Sequence, residues 1–193
     1  MKLRRRKILL SGGLLAFLLV VLFFTPCGGY CGGCRVQLLT GQEYFFALRD
    51  AIDKAEHSIF VAIYLFKTDN HASNRATGIL NALLKAAKRG VEITVVMERS
   101  DNPEDFINRE NEKTGRRLLK AGAKVFWDRP DRKLHIKTVV IDHHLVFLGS
   151  HNLTHSAMKY NQEMSFELND AKIANEIIKK IKGFPITPFK RQP

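Results

Sequence analysis

Residues 134–163 read LHIKTVVIDHHLVFLGSHNLTHSAMKYNQE and contain the segment that decides the fold. Apolar runs on both sides of a central DHH are typical of a β-hairpin. Because side chains alternate along a strand, His135 and Lys137 share one face with Val139 and Ile141. An imidazole and an ammonium at those positions indicate either a solvated strand face or a site that binds a phosphate group.

The turn of this hairpin decides which residues face each other. A two-residue turn at His143 and His144 would bring four polar side chains onto one face, in the pairs Lys137–Ser150 and His135–Asn152. Directly paired residues have Cβ atoms about 5 Å apart. A turn with an odd number of residues would shift this register. Asp142 has the opposite parity, so we predict a turn or salt-bridge role for it.

These groups suit the cleavage of a phosphodiester. Lys137, Ser150 and Asn152 can donate hydrogen bonds to phosphate oxygens, whose negative charge grows during attack. A neutral His135 can attack phosphorus through one ring nitrogen and form a phosphohistidine. The other ring nitrogen then needs an acceptor, and Glu163 is the nearest downstream candidate.

The rest of the chain alternates between strand-like and helix-like segments. Strands are predicted at 36–40, 58–66, 91–98, 124–128 and 163–169, and helices at 43–55, 76–90, 108–121 and 170–184. Asp170 is a plausible cap of the last helix. This alternation predicts an α/β layered fold with helices on the sheet, and the antiparallel hairpin makes the sheet mixed.

The hairpin and its flanks resemble the phospholipase D superfamily. HIKTVVID, from 135 to 142, fits the H-x-K-x4-D signature called the HKD motif, and GSHN and NQE resemble the G-S-x-N and Asn-x-Glu that follow it. The similarity covers about residues 35–184 and implies the phospholipase D-like layered fold. It implies the following roles: His135 as nucleophile, Lys137, Ser150 and Asn152 as phosphate ligands, Glu163 as the group that orients the histidine, and Asp142 as a supporting residue.

One catalytic histidine leaves the reaction incomplete, because the leaving oxygen needs a proton from a second group. Most members of the superfamily carry two HKD motifs in one chain, whereas this sequence has one motif and no internal repeat. The small single-motif members, namely the Nuc-type bacterial endonucleases and the mitochondrial cardiolipin-hydrolase group, form homodimers. The resemblance therefore implies a homodimer in which two copies of His135 meet, with no cofactor and no metal required.

Other polar side chains lie close to the motif in sequence. His151 and His155 are candidates for substrate contacts. Arg132 and Lys133, from the preceding run DRPDRK, are candidates for contacts with a phosphate backbone, and a solvated loop is the alternative for them.

The amino terminus predicts a membrane anchor. Residues 1–7 include five cations, and residues 8–24 are uncharged and largely apolar. A span needs about 20 such residues, with about 17 as the lower limit. A cleaved signal peptide has the same layout and is the alternative. Because positive flanks stay in the cytoplasm, the catalytic domain at 36–193 would lie across the membrane, in the periplasm or, alternatively, at the mitochondrial outer membrane.

Residues 25–35 read as a glycine-rich linker that holds all three cysteines, Cys27, Cys31 and Cys34. Disulfides or unpaired thiols are the first interpretation. A structural metal is the second, because three thiolates are one ligand short of a tetrahedral zinc site.

The formal net charge of +12 favours an anionic partner. We predict a metal-independent endonuclease that cleaves DNA or RNA. The alternative is a phospholipase D or cardiolipin hydrolase that acts on anionic phospholipid, which the anchor favours. An inactive binding module is a third class, and the complete set of motif side chains argues against it.

Overall fold

Strands and helices alternate along the chain, as the apolar periodicity predicts. The computed structural model describes the backbone of residues 29–31 and 34–189, and the side chains of 35–189. The strands of this part are β1 Gly29–Cys31, β2 Cys34–Thr40, β3 Ser58–Ile63, β4 Glu92–Met97, β5 Lys124–Trp127, β6 Lys137–Ile141, β7 Leu145–Gly149, β8 Met164–Asn169 and β9 Thr187–Pro188. The helices are α1 Gln42–Lys54, α2 Arg75–Lys88, α3 Phe106–Lys120 and α4 Ala171–Lys182.

All of these strands form one sheet in the order β1-β2-β8-β7-β6-β3-β4-β5-β9. Neighbours β3, β4 and β5 are parallel, and the other neighbours are antiparallel. The prediction of a mixed α/β fold is therefore confirmed. The predicted hairpin forms β6 and β7, which lie near the centre of the sheet. β6 also pairs with β3, and β7 also pairs with β8.

Helices cover both faces of the sheet. On one face, α1, α2 and α3 bury apolar side chains such as Leu48 and Leu118 in the larger core. On the other face, α4 packs through residues such as Ile178. Asp170 caps α4 as predicted, because its carboxylate accepts a hydrogen bond from the N–H of Ile173 at 3.0 Å.

The amino-terminal part of the sheet differs from the prediction. Strand β1 lies within residues 25–35, for which the sequence predicts a linker, and pairs with β2, which begins in the same segment. The Cα register pairs Cys31 with Cys34, whereas Cys27 lies outside the described residues. The predicted anchor at 8–24 also lies outside them. In the part of the chain that is described, no helix is long and apolar enough to cross a membrane.

Helix α4 leaves one region of its sheet face uncovered. Leu38 of β2, Phe166 of β8 and Leu148 of β7 are direct cross-strand neighbours. Met164 lies on the same face, two residues before Phe166, and the four side chains are 41–65% exposed. We call these four residues the apolar sheet face. A contiguous exposed apolar group of this kind marks an interaction surface more often than isolated exposed residues do.

Candidate active site

The turn of the hairpin has three residues, so the register predicted from a two-residue turn is wrong. Ile141 pairs with Leu145, and residues 142–144 form the turn. Two of these turn residues have positive φ angles, 49° and 59°, which residues other than glycine adopt infrequently. The shift by one position removes the expected cross-strand pairs, Lys137–Ser150 and His135–Asn152.

Ser150 reaches the site through strand β8 instead. Its N–H donates to the carbonyl oxygen of Met164 at 2.9 Å, and its hydroxyl donates a short hydrogen bond to the Glu163 carboxylate. A Cβ on Gly149 would lie 2.3 Å from Ser165 Oγ, so this close approach of β7 and β8 requires glycine. A glycine at the end of a strand is the sequence signal for such an approach, and the sequence reasoning assigns it no role.

Glu163 is bound to Ser150 and does not orient His135 within one chain. Its second carboxylate oxygen accepts a hydrogen bond from Asn161 Nδ2 at 3.1 Å. In the described part of the chain, Glu163 accepts no hydrogen bond from His135. Burial lowers the pKa of Lys137, and the charge of Glu163 partly offsets that effect. The carboxylate therefore acts on the serine and the lysine of the site.

The His135 imidazole is exposed and packs edge-on against Tyr64. The ring centroids are 4.8 Å apart, and the ring planes make an angle of 64°. The ammonium groups of Lys137 and Lys133 lie 5.1 and 5.9 Å from the centroid of the same tyrosine ring. Partial desolvation, and then the charges of Lys137 and Lys133, lower the pKa of His135. The neutral imidazole that a nucleophile requires is thereby favoured.

Tyr64 is a site residue that the sequence reasoning missed. It follows the apolar strand β3 and is half-buried, with its ring turned toward His135. The available signal was an aromatic residue with a polar tip at the end of a buried strand, where such a ring can reach a site beyond the sheet.

Two buried polar groups of the site lack an ion-pair or hydrogen-bond partner that buried groups usually have, as far as the described residues show. Lys137 is 6% exposed, and its ammonium donates to the carbonyl oxygen of His135 at 2.9 Å. Within 4.0 Å, it makes no ion pair with any described carboxylate. The buried Oδ1 of Asn152 has no hydrogen-bond partner among the described residues. Buried polar groups in this state indicate a site for a polar ligand, and the lysine makes an anion the favoured one.

Asp142 lies apart from these residues, which corrects its assignment as a catalytic residue. It follows the far end of β6, seven positions after His135, or roughly 20 Å of extended chain. Its carboxylate accepts hydrogen bonds from the backbone N–H groups of Glu56, His57 and Ser58 at 2.9, 2.8 and 2.8 Å. The predicted turn role is confirmed, and it consists of joining the turn to the start of β3.

His151 is fully buried, so the prediction that it contacts substrate is wrong. Its ring stacks on Tyr44 at a centroid distance of 4.2 Å. Nε2 lies 3.1 Å from the carbonyl oxygen of Gly41, and Nδ1 lies 2.7 Å from Ser165 Oγ. Because a carbonyl only accepts, Nε2 carries the proton and Nδ1 accepts from the serine. Burial lowers the pKa of His151, in agreement with a neutral ring.

Three other candidates lie at the rim of the site or beside it. Lys133 shares the Tyr64 ring with Lys137, and His155 is half-buried in the loop that follows β7. Arg132 is exposed and lines a neighbouring cavity of about 430 Å³. No group of three or more metal-ligating side chains occurs among the described residues.

Comparison with known proteins identifies the family. The sequence model of the family described as cardiolipin synthase, PLD-like domain, matches residues 48–184. The chain belongs to this phospholipase D-like family. The resemblance carried by the HKD motif is thereby confirmed.

Curated relatives of the chain are longer proteins. Phospholipase D of Rickettsia bellii is 28% identical over 132 residues, which are 68% of this chain and 58% of that protein. Cardiolipin synthase B of Shigella flexneri is 30% identical over 133 residues, which are 65% of this chain and 31% of that protein. The phospholipase D-like chain thus matches only part of each relative's length.

Solved structures share its fold. Nuc from Salmonella typhimurium, described as a phospholipase D family member, matches with a TM-score of 0.67 at 21% identity, over 81% of this chain and 99% of that one. NucT from Helicobacter pylori matches with a TM-score of 0.64 at 18% identity, again over 81% and 99% of the two chains. The layered phospholipase D-like fold implied by the motif is therefore confirmed.

Proposed function

We propose that this protein is a metal-independent phosphodiesterase that cleaves DNA or RNA through a phosphohistidine, at a site shared by two chains. One observation carries the proposal: an exposed imidazole of lowered pKa, His135, lies beside the buried ammonium of Lys137, which has no ion-pair partner among the described residues. A phosphodiester supplies the anion that Lys137 lacks and the electrophile that a neutral imidazole attacks. Ser150 and Asn152 supply further polar contacts to its oxygens.

The reaction proceeds in two steps. A ring nitrogen of His135 forms a bond to phosphorus while the bond to the leaving oxygen breaks, and protonated His135 of the partner subunit gives that oxygen a proton. The partner's histidine then removes a proton from water, whose oxygen attacks phosphorus as the P–N bond breaks. A phosphate monoester and an alcohol are the products. Because two imidazoles share one proton, they titrate as a coupled pair and give a bell-shaped pH profile.

A homodimer is part of this proposal. The chain supplies one catalytic histidine, and the apolar sheet face begins at Met164, whose N–H donates to the Ser150 hydroxyl at 3.1 Å. In this proposal, a second copy seated on that face approaches the site at the end of β8, where Met164 adjoins Ser150. Two-fold symmetry makes such a contact self-complementary, and it would bring both copies of His135 into one shared catalytic centre.

A lipid phosphodiester is the second candidate substrate. The names of the curated relatives, phospholipase D and cardiolipin synthase, favour it, as does the predicted anchor at 8–24, which would hold an extracytoplasmic domain near lipid. Nucleic acid ranks first because the positive charge is not confined to the amino terminus. Without the five cations of residues 1–7, the chain still carries about seven of its twelve net positive charges.

The test uses the full-length protein in mild detergent, a labelled single-stranded oligonucleotide and an excess of chelator. We expect cleavage by the parent and by His143→Ala, which removes an exposed imidazole from the far end of the same hairpin. His135→Ala should be inactive, and mass spectrometry of the quenched parent should find a nucleotide adduct on His135. Cleavage of cardiolipin in mixed micelles without cleavage of DNA or RNA would establish the lipid alternative.

A further inference from the structure

Two exposed aromatic rings near the site each have a lysine ammonium above them. Tyr160 is 68% exposed, and Lys159 Nζ lies 4.9 Å from its ring centroid. Phe106 is 42% exposed, and Lys67 Nζ also lies 4.9 Å from its ring centroid. We call these the two lysine–aromatic pairs. The proposed chemistry at His135 uses neither pair, and exposed rings of this size contribute little to the core.

Tyr160 is joined to the site by the residue that follows it. Consecutive Cα atoms are about 3.8 Å apart, and Asn161 donates a hydrogen bond to Glu163 at 3.1 Å. Glu163 in turn binds Ser150. The N–H groups of Tyr160 and Asn161 both donate to the carbonyl oxygen of Ser156, at 2.8 and 2.9 Å. This turn fixes the backbone that presents the tyrosine at the rim.

The orientation of the Tyr160 ring is also fixed. Its ring makes an edge contact with His155, with centroids 5.5 Å apart and planes at 84°. The Nδ1 atom of His155 accepts a hydrogen bond from the N–H of Arg75 at 3.0 Å, at the start of α2. The exposed ring is thus held by the framework of the domain.

The second pair borders the site through Asn152. The N–H of Lys67 donates to the carbonyl oxygen of Leu153 at 3.0 Å, and Leu153 directly follows Asn152. Leu153 and Phe66 also form a parallel β-bridge. One lysine–aromatic pair is therefore connected to the site through Asn152 and the other through Glu163.

We propose that the two lysine–aromatic pairs are stacking platforms for the bases of single-stranded nucleic acid, which lead the strand to His135. This inference rests on the proposed function. A base of any sequence can stack on an exposed ring, and the lysine can move from the ring to an adjacent phosphate. An exposed cation–π interaction is weaker than the base stack that would replace it, so this exchange favours binding. A duplex keeps its bases stacked on one another, so single strands should bind better.

Binding is measured with the full-length protein in detergent, carrying His135→Ala so that no turnover occurs. The probes are a fluorescent single strand of mixed sequence and a strand of equal length built from abasic sites. Adding Tyr160→Ala should weaken binding of the normal strand about tenfold and leave binding of the abasic strand unchanged. Tyr160→Phe keeps the ring and should bind like the parent. Phe46→Ala removes a ring that is 60% exposed outside the two pairs and should have no effect.

Two results would overturn the stacking proposal. These are equal affinity of the parent for the normal and abasic strands, and an equal loss of affinity for both strands in Tyr160→Ala. Cleavage of the normal strand by the protein with His135 intact is measured alongside. Base-dependent binding without cleavage would reject the proposed nuclease activity while leaving the platforms in place, so the two failures are distinguishable.

Discussion

The Tyr64 ring meets the His135 imidazole edge-on, with centroids 4.8 Å apart at an angle of 64°. The imidazole makes no side-chain hydrogen bond to another described residue, so this contact is what orients it within one chain. The same ring faces the ammoniums of Lys137 and Lys133. Tyr64 therefore couples the position of His135 to that of Lys137.

Removal of the Tyr64 ring should lower the rate of the chemical step. We expect Tyr64→Ala to reduce kcat about tenfold with a smaller effect on KM, because a misplaced imidazole attacks less often while the strand still binds. Tyr64→Phe keeps the ring contact and should retain most of the activity. Steady-state kinetics on a single-stranded oligonucleotide test this, with a thermal melt to verify folding. Equal losses in both variants would instead assign the effect to the hydroxyl group.

The charge of Lys133 should contribute to the position of the acid limb of the pH profile. Partial desolvation, then the charge of Lys137 and then that of Lys133 lower the pKa of His135, because each disfavours the protonated imidazole. In Lys133→Ala that contribution disappears, the pKa of His135 rises, and the acid limb of kcat/KM should move to higher pH. Lys133→Arg keeps the charge and should leave the limb in place. An acid limb that moves equally in both variants, or in neither, contradicts this prediction.

Much of the fold could be predicted from the sequence because the longer strands and the helices carry strong local patterns of apolar and capping residues. Buried strands such as β3 and β4 are mostly apolar, and Asp170 carries the side chain that a helix cap needs. The strands that the sequence did not predict are the short ones. β1 has three residues and β9 has two, and β9 pairs with β5, which is distant in sequence. Such edge strands carry no periodic signal of their own.

The residues of the candidate site could be predicted only in part, and their contacts less well. His135 and Lys137 were expected to share a face whatever the length of the turn, and both contact the Tyr64 ring, although β6 begins only at Lys137. The partners of Ser150 and the burial of His151 depend on the length of the hairpin turn, which has three residues. Two of the turn residues have positive φ angles, and no glycine in the turn predicts them. Pairing of β7 with β8 decides both positions, and it is a tertiary contact.

Asp142 should contribute to stability and leave the chemistry unaffected. Loss of its three backbone hydrogen bonds in Asp142→Ala should cost about 2–4 kcal/mol. Asp142→Asn keeps an acceptor and tolerates the positive φ, so about 1–2 kcal/mol is expected. Denaturant melts measure both, and activity per folded molecule should match the parent. A specific loss of kcat in a fully folded Asp142→Asn would contradict this assignment.

The contribution of Asp142 should also depend on pH. Burial alone would raise the pKa of its carboxyl group, but the N–H groups of Glu56, Ser58 and His57 lower it overall. A carboxyl group whose pKa is depressed in the folded state stabilises the fold above its unfolded pKa of 3.8 and loses that effect as the pH falls through the lower folded value. The stability difference between the parent and Asp142→Asn should therefore shrink in acid.

The apolar sheet face should decide both assembly and activity. Phe166→Glu and Leu38→Glu place a carboxylate among apolar side chains that a second copy would bury, so we expect monomers in both cases. Because one chain supplies one catalytic histidine, these monomers should lose nearly all activity while remaining folded. Ile173→Glu on α4, where the side chain is 37% exposed and lies outside the face, is the matched control. Light scattering in detergent gives the mass, and dimers of Phe166→Glu with full activity would show that the chains meet elsewhere.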